Sequence, residues 1–176
     1  MIRRAARVTY RWWMAKTNPV RFARELGVQI GNDCRLIGVS ASTFGSEPYL
    51  VKIGDHVTVT GGVRFVTHDG GVWVFRHIHP DLDVVAPITI GDNVFIGLNA
   101  ILLPGVNVGN NSVIGAGAVV TRDIPSDCVA VGVPARPICS IEAYWRKVEQ
   151  KALFIRSLPQ DEKRALLRNR FLGSAE

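Results

Sequence analysis

Between Ile88 and Val120, aliphatic residues recur at every sixth position: Ile90, Ile96, Leu102, Val108, Ile114 and Val120. Four places after each stands a small or β-branched residue, namely Val94, Ala100, Val106, Ser112, Ala118 and Ile124. A period of six fits neither a helix at 3.6 nor a strand at 2, so the repeating unit is one short strand plus one corner. Gly91, Gly97, Gly109 and Gly115 follow four of the six aliphatic positions. The expectation is that they supply backbone angles closed to other residues at sharp turns. Three units make one triangular coil, which predicts Ile90 stacked on Val108, Ile96 on Ile114 and Leu102 on Val120 at the ~4.8 Å spacing of paired strands.

Upstream the pattern continues with two interruptions. Ile30-Gly31-Asn32-Asp33 and Ile53-Gly54-Asp55 share the signature of Ile90-Gly91-Asp92, and Ile53, Val59 and Phe65 keep the sixfold step with Val57 and Val63 as partners. Between Leu36 and Leu50 the repeat lapses into GVSASTFGSEPY, a polar, turn-rich insertion. Phe65 and Ile90 are 25 residues apart, one more than a multiple of six. The chain therefore leaves the column after about His68 and rejoins it near Pro87, with residues 69–87 an extruded loop of the kind that serves function or assembly.

The ends read as helical. Residues 2–26 place Val8, Trp12, Trp13, Phe22 and Leu26 among basic residues, with Pro19 dividing two short helices. Their expected role is a cap over the open end of the column, where unpaired strand edges invite aggregation. A peripheral membrane contact through Trp12, Trp13 and the arginines is the less favoured alternative, because the basic residues scatter around the helix. Residues 141–158 predict one helix striped by Ile141, Trp145, Val148, Ala152 and Ile155, and a second helix follows with Pro159 as its first residue. The expected division is an N-terminal helical segment at 1–27, the repeat domain at 28–138 and C-terminal helices at 139–176.

Composition narrows the setting. The 176 residues are 47% hydrophobic with a mean hydropathy of +0.15, yet no run of eighteen apolar residues exists. Arg7 and Arg11 interrupt any apolar signal-peptide core, so a cytoplasmic protein is expected. Cys34, Cys128 and Cys139 are odd in number and lack metal-ligand spacing, and read as reduced small hydrophobes. A formal charge of +6 and a pI near 9.7 favour anionic partners. Nucleic acid is set aside, because no zinc finger, RNP-like aromatic pattern or helix-turn-helix is present.

The repeat, the phrase Phe65-Val66-Thr67-His68 and the closing run VTRDIPSDCVAVGVPARPI at 120–138 together resemble the hexapeptide acyltransferases, which include maltose, galactoside and xenobiotic acetyltransferases. The resemblance spans roughly residues 28–138. It implies an all-β core wound as a left-handed parallel β-helix, a homotrimer with active sites between subunits, acetyl-CoA as acyl donor and no metal. It also implies that His68, at the last coil position before the loop, is the catalytic base. The chemistry asks for such a residue, since acyl transfer from a thioester requires the acceptor's proton to leave during attack, and histidine titrates in the useful range. Asp69 or a backbone carbonyl is expected to orient its ring.

Matched motif to motif, the resemblance carries CoA contacts onto Ala116 of IGAG, Thr121 and Arg122 of VTRD, and Arg136 of VPAR, with Gly97 and Leu98 beside the thioester end. Arg122 and Arg136 suit phosphate through arginine's planar fork. Phe95 stands where several relatives carry Trp. Trp73, His77 and His79 in the loop are the candidates for acceptor contact, and the implied acceptor is a sugar or polysaccharide-precursor hydroxyl. Acetylation of an amino sugar's nitrogen is the near alternative. From other classes come a γ-carbonic-anhydrase-like zinc protein, for which His68, His77 and His79 offer H-x-H where that family has H-x4-H, and a noncatalytic β-helix scaffold.

Overall fold

The computed structural model describes residues 2–173. The side chains of residues 1–9, Val8 among them, and residues 174–176 lie outside the described residues. Two helices, α1 (Ile2–Thr17) and α2 (Pro19–Leu26), precede the strands. Asn18 caps α2 by accepting the Arg21 amide, Pro19 opens the helix, and Gly27 ends it in the left-handed region at φ 105°.

The strands run β1 (Gln29–Ile30), β2 (Arg35–Leu36), β3 (Val51–Ile53), β4 (Thr58–Val59), β5 (Arg64–Phe65), β6 (Ile88–Ile90), β7 (Phe95–Ile96), β8 (Ile101–Leu102), β9 (Asn107–Val108), β10 (Val113–Ile114), β11 (Val119–Val120), β12 (Cys128–Val131) and β13 (Arg136–Ser140). They form three sheets. The first stacks β1-β3-β6-β9, the second β2-β4-β7-β10-β12 with β13 at its end, and the third β5-β8-β11. All pairs are parallel except β12 with β13, which turns back and closes the column's last edge. The register is the one the sixfold step predicts: Ile90 opposite Val108, Ile96 opposite Ile114, Leu102 opposite Val120.

Every one of those aliphatic side chains is buried, as are the partner residues from Val94 to Ile124. One column of stacked Ile, Val and Leu thus forms the core, joined by Met14, Phe22 and Ala23 from the helices. The third sheet has no strand from the first coil. Phe44 from the insertion fills that place, stacked on Phe65 with ring centroids 5.7 Å apart at 16°. The insertion therefore carries buried Thr43 and Phe44 and two short 3-10 turns, at Ala41–Phe44 and Pro48–Leu50, a more ordered segment than its polar composition predicts.

The glycines of the signature serve a different purpose from the one expected. Gly31, Gly54, Gly91 and Gly109 do not take positive φ; that role falls two residues later to Asp33, His56, Asn93 and Asn111, types that tolerate the left-handed region. Each of these glycines instead makes room for the next coil. A Cβ on Gly54 would lie 2.2 Å from Asp92 Oδ1, and one on Gly91 2.2 Å from Asn110 Oδ1. Those side chains accept backbone amides across coils, Asp55 N to Asp92 Oδ1 and Asp92 N to Asn110 Oδ1, both at 2.8 Å. The signature residues Asp55, Asp92 and Asn110 are rungs of a hydrogen-bond ladder, and glycine is the space it runs through. Gly91→Ala should consequently cost about 1–3 kcal/mol of stability by overpacking, read as a fall in thermal midpoint, while Gly70→Ala, with nothing within 4 Å, should leave it unchanged.

The loop at 69–87 leaves the column where the phase break predicts. Its base is zipped by an antiparallel bridge between His68 and Val85, with the Asp69 amide donating to Val84 O at 2.8 Å and the Ala86 amide to Thr67 O at 2.9 Å. A 3-10 segment, Gly70–Phe75, follows. Its Val72 is buried, but Trp73, Val74, Phe75 and Ile78 face solvent, with Trp73 71% exposed.

The chain forms two compact units, Met1–Tyr144 and Trp145–Glu176. Helix α3 (Ile141–Glu149) is shorter than the helix expected over 141–158: it buries no residue completely, and the chain turns after it through Lys151 N to Val148 O and Ala152 N to Glu149 O. A stripe of apolar residues without a buried surface gives little support beyond two or three helical turns. Helix α4 (Gln160–Leu172) begins one residue later than expected, with Pro159 in the N-cap position.

Candidate active site

Gly45 brings the insertion against β5. At φ 69° it lies so close that a Cβ would stand 2.8 Å from Phe65 O and 2.9 Å from Thr67 Oγ1. Two residues on, Glu47 reaches the end of the same coil. Its Oε2 accepts the Thr67 hydroxyl at 2.5 Å and lies 3.3 Å from His68 Nδ1. His68 keeps 37% of its side chain exposed and Glu47 21%, so the pair sits at the wall of the column with the ring's Nε2 edge free of this contact. A carboxylate on Nδ1 selects the tautomer with hydrogen there and leaves Nε2 as the acceptor.

The expected orienting group, Asp69, is elsewhere. Its carboxylate caps the 3-10 segment, accepting the Gly71 amide at 2.8 Å, because backbone pairing at the loop base fixes Asp69 as the segment's N-cap. Glu47, rather than Asp69, lies beside His68 Nδ1. Sequence reading missed Glu47 because the insertion breaks the sixfold step. The signal that finds it is an offset: Phe44 stacks on Phe65 and Glu47 meets His68, each 21 residues apart.

The remaining candidates divide between two edges of the column. Thr121 and Arg122 follow β11 as Val66 and Thr67 follow β5, on the edge that carries His68. Gly97, Leu98 and Ala116 follow β7 and β10 on the other side of the third sheet, where the Gly117 amide donates to Leu98 O at 2.7 Å. Arg136 opens β13 near that second edge, since the Ala135 amide before it donates to Val119 O. Leu98, Ala116, Thr121, Arg122 and Arg136 are exposed. Gly97 is buried, and a Cβ there would stand 2.5 Å from the Ala116 amide nitrogen, so coil packing alone demands glycine.

In the loop, His77 Nδ1 lies 3.0 Å from Val74 O and the His79 amide donates to Phe75 O; both rings and Trp73 are exposed. Among the described residues no three His, Cys, Asp or Glu side chains group as a metal site, and His68, His77 and His79 form none. Burial pushes the Cys34 and Cys128 thiols up from their ordinary range, which lowers their thiolate fraction and suits packed hydrophobes rather than nucleophiles. His56 stands outside the column, its Nδ1 2.8 Å from Asn93 Oδ1 at the head of an Asn93–Asn111–Asp127 side-chain ladder.

Comparison with known proteins agrees with this architecture. Residues 87–122 match the family model described as the hexapeptide repeat of succinyl-transferase. The chain is 56% identical to protein CapG of Staphylococcus aureus over 148 residues, 84% of this chain and 86% of CapG. It is 44% identical to galactoside O-acetyltransferase of Escherichia coli over 96 residues, 54% of this chain, and spans about half of that relative's length, 46%. Among solved structures it resembles a hexapeptide-repeat acetyltransferase of Vibrio cholerae, with TM-score 0.54, 27% identity and coverage of 69% of this chain and 78% of that one. A galactoside acetyltransferase in complex with coenzyme A gives TM-score 0.53 and 32% identity, covering 74% of this chain and 61% of that one. The repeat, its register and these likenesses agree, and the chain belongs to the hexapeptide-repeat acetyltransferases.

Proposed function

We propose that this chain is an acetyl-CoA-dependent O-acetyltransferase acting on a sugar or polysaccharide-precursor hydroxyl, with His68 as general base and Glu47 as its positioning residue. The observation that carries the reading is the Glu47 carboxylate beside His68 Nδ1 at 3.3 Å, at the root of the extruded loop. Two likenesses support the substrate class: a galactoside O-acetyltransferase among the relatives, and a structure described as a maltose O-acetyltransferase, at 30% identity and TM-score 0.50. The solved galactoside acetyltransferase structure that this chain resembles is a complex with coenzyme A.

The donor supplies a thioester carbonyl and a thiolate leaving group. His68 Nε2 takes the hydroxyl proton as the acceptor oxygen attacks, and returns it to the departing sulfur. Glu47 holds Nδ1–H toward itself and stabilises the imidazolium that forms between the two transfers.

The resemblance to the hexapeptide acyltransferases implies a trimer of left-handed β-helices, and the division of residues between two edges supports sites that lie between subunits. In one chain the third sheet separates His68, Thr121 and Arg122 from Leu98, Ala116 and Arg136. A groove between adjacent subunits would bring one edge of each together. The exposed Trp73, Val74, Phe75 and Ile78 form an apolar surface of the kind that oligomers cover.

Arg122 and Arg136 are read as phosphate contacts far from the thioester, equal in ground and transition states. Replacing either with Ala should raise KM for acetyl-CoA roughly three- to tenfold with kcat within a few fold. A loss confined to kcat would remove them from the donor site. The function itself is tested by acceptor-dependent thiol release from acetyl-CoA across free sugars, amino sugars and nucleotide sugars. An alkali-labile acetyl ester on the product supports the O-acetyl reading, a stable amide replaces it with N-acetylation, and no acceptor-dependent release overturns both.

A further inference from the structure

The positive charge of this chain is concentrated at one end. The first 24 residues hold seven Arg and Lys and no Asp or Glu. Of the 21 basic and 15 acidic residues in all, the rest of the chain holds 14 and 15, a net charge of −1. The whole surplus therefore belongs to α1 and α2.

The same helices leave aromatic surface uncovered. Met14 of α1 and Phe22 of α2 are buried in the core, but Tyr10, Trp12 and Trp13 are 44%, 61% and 56% exposed. Tyr10 and Trp13 lie with ring centroids 6.4 Å apart, and Lys16 Nζ sits 3.9 Å over the Trp12 ring. Beside Trp12 a cleft of about 840 Å³ opens between the helices and the first coil, walled by Phe22, Leu36 and Val39 with Arg11 and Lys16 also lining it. The cap over the column thus accounts for Met14 and Phe22 and leaves consecutive tryptophans on α1 beside a largely apolar cleft that Arg11 and Lys16 also line.

We propose that α1 seats this protein on an anionic phospholipid surface, with Trp12 and Trp13 at the boundary between headgroups and acyl chains and Arg11 and Lys16 over the phosphates. Tryptophan favours that boundary because its ring is apolar and its N–H is polar. Basic residues near an anionic leaflet each add attraction that salt screens. No described helix is long and apolar enough to cross a bilayer, so α1 lies in the plane of the interface. Single-stranded nucleic acid would also attract the charge, but most of the cleft wall is apolar, from Phe22, Leu36, Ile37 and Val39, and suits an acyl chain better than a base.

Co-sedimentation of the full chain with phosphatidylcholine vesicles, with and without phosphatidylglycerol, tests this. Binding should require phosphatidylglycerol, weaken as salt rises, and shift tryptophan emission to the blue. Trp12→Ala with Trp13→Ala should weaken it at least tenfold. Arg11→Glu, a swing of two charges at an exposed site, should weaken it roughly twentyfold with an unchanged thermal midpoint, and carries the test if the double variant folds poorly. Equal binding to both vesicle types, no binding, or variants that bind like wild type would overturn the proposal. So would tighter association with a single-stranded oligonucleotide than with vesicles at the same salt, or a tryptophan variant whose only change is a smaller oligomer, which would assign this face to a contact between copies.

Discussion

His68→Asn should bind acetyl-CoA nearly as wild type does and turn over on the order of 10²–10⁴-fold more slowly. The donor contacts proposed here come from other coils, so removal of the base withdraws proton transfer without dismantling the groove. Asparagine is the informative substitution. It keeps comparable bulk and can still hydrogen-bond Glu47, which lies 3.3 Å from His68 Nδ1, but it offers no basic nitrogen. If His68 merely packed the loop base, asparagine would restore much of what alanine loses. With a base role the two variants fail alike, and kcat falls while the dissociation constant for acetyl-CoA, measured by calorimetry, stays put. A folded His68→Ala protein that binds acetyl-CoA and acetylates its acceptor within tenfold of wild type would end the assignment, and His79 would be the next candidate.

The column was legible in the sequence because a hexapeptide period has one structural meaning, and a slip of one residue would turn Ile90, Ile96 and Leu102 out of the core. The exit and return of the loop were legible for the same reason, as a break in phase between Phe65 and Ile90. What the period could not show is what glycine makes room for. The contact between Gly91 and Asn110 crosses from one coil to the next, so it exists only once coils are stacked, and a reading along the chain credits glycine with turning instead. Glu47 was hidden by a related cause. The first coil reaches the third sheet through an insertion of its own length, and only the stacking of Phe44 on Phe65 fixes which insertion residue faces His68. Asp69 was the natural candidate by adjacency, but at the mouth of a loop adjacency places a side chain on the next turn, where it caps Gly71. The ends were least legible, because the extent of α3 depends on burial that an apolar stripe does not guarantee.

Glu47→Gln carries the second large effect. In the proposed mechanism the carboxylate holds His68 in the tautomer with hydrogen on Nδ1; glutamine can present its amide N–H₂ to Nδ1 instead, which draws the ring to the other tautomer and places a hydrogen on Nε2, where the acceptor's proton would have to arrive. In a serine-protease triad the corresponding carboxylate-to-amide change costs about 10⁴-fold. The His68 side chain is 37% exposed and can recover the productive tautomer through water, so a smaller loss, about 10²-fold in kcat, is expected here with KM for acetyl-CoA unchanged. Nitrogen-15 chemical shifts of the His68 ring report the tautomer directly, and should exchange the two ring nitrogens' signatures between wild type and Glu47→Gln. A purely structural Glu47 would act through Thr67, whose side chain is buried and donates to the same carboxylate. Thr67→Val separates the two roles: it removes that hydrogen bond and leaves the Glu47–His68 contact, so it should lower stability by about 1 kcal/mol while kcat stays within a few fold. A Thr67→Val enzyme as slow as Glu47→Gln, with the ring tautomer unmoved in both, would show that Glu47 braces the loop base and that His68 is oriented by something else.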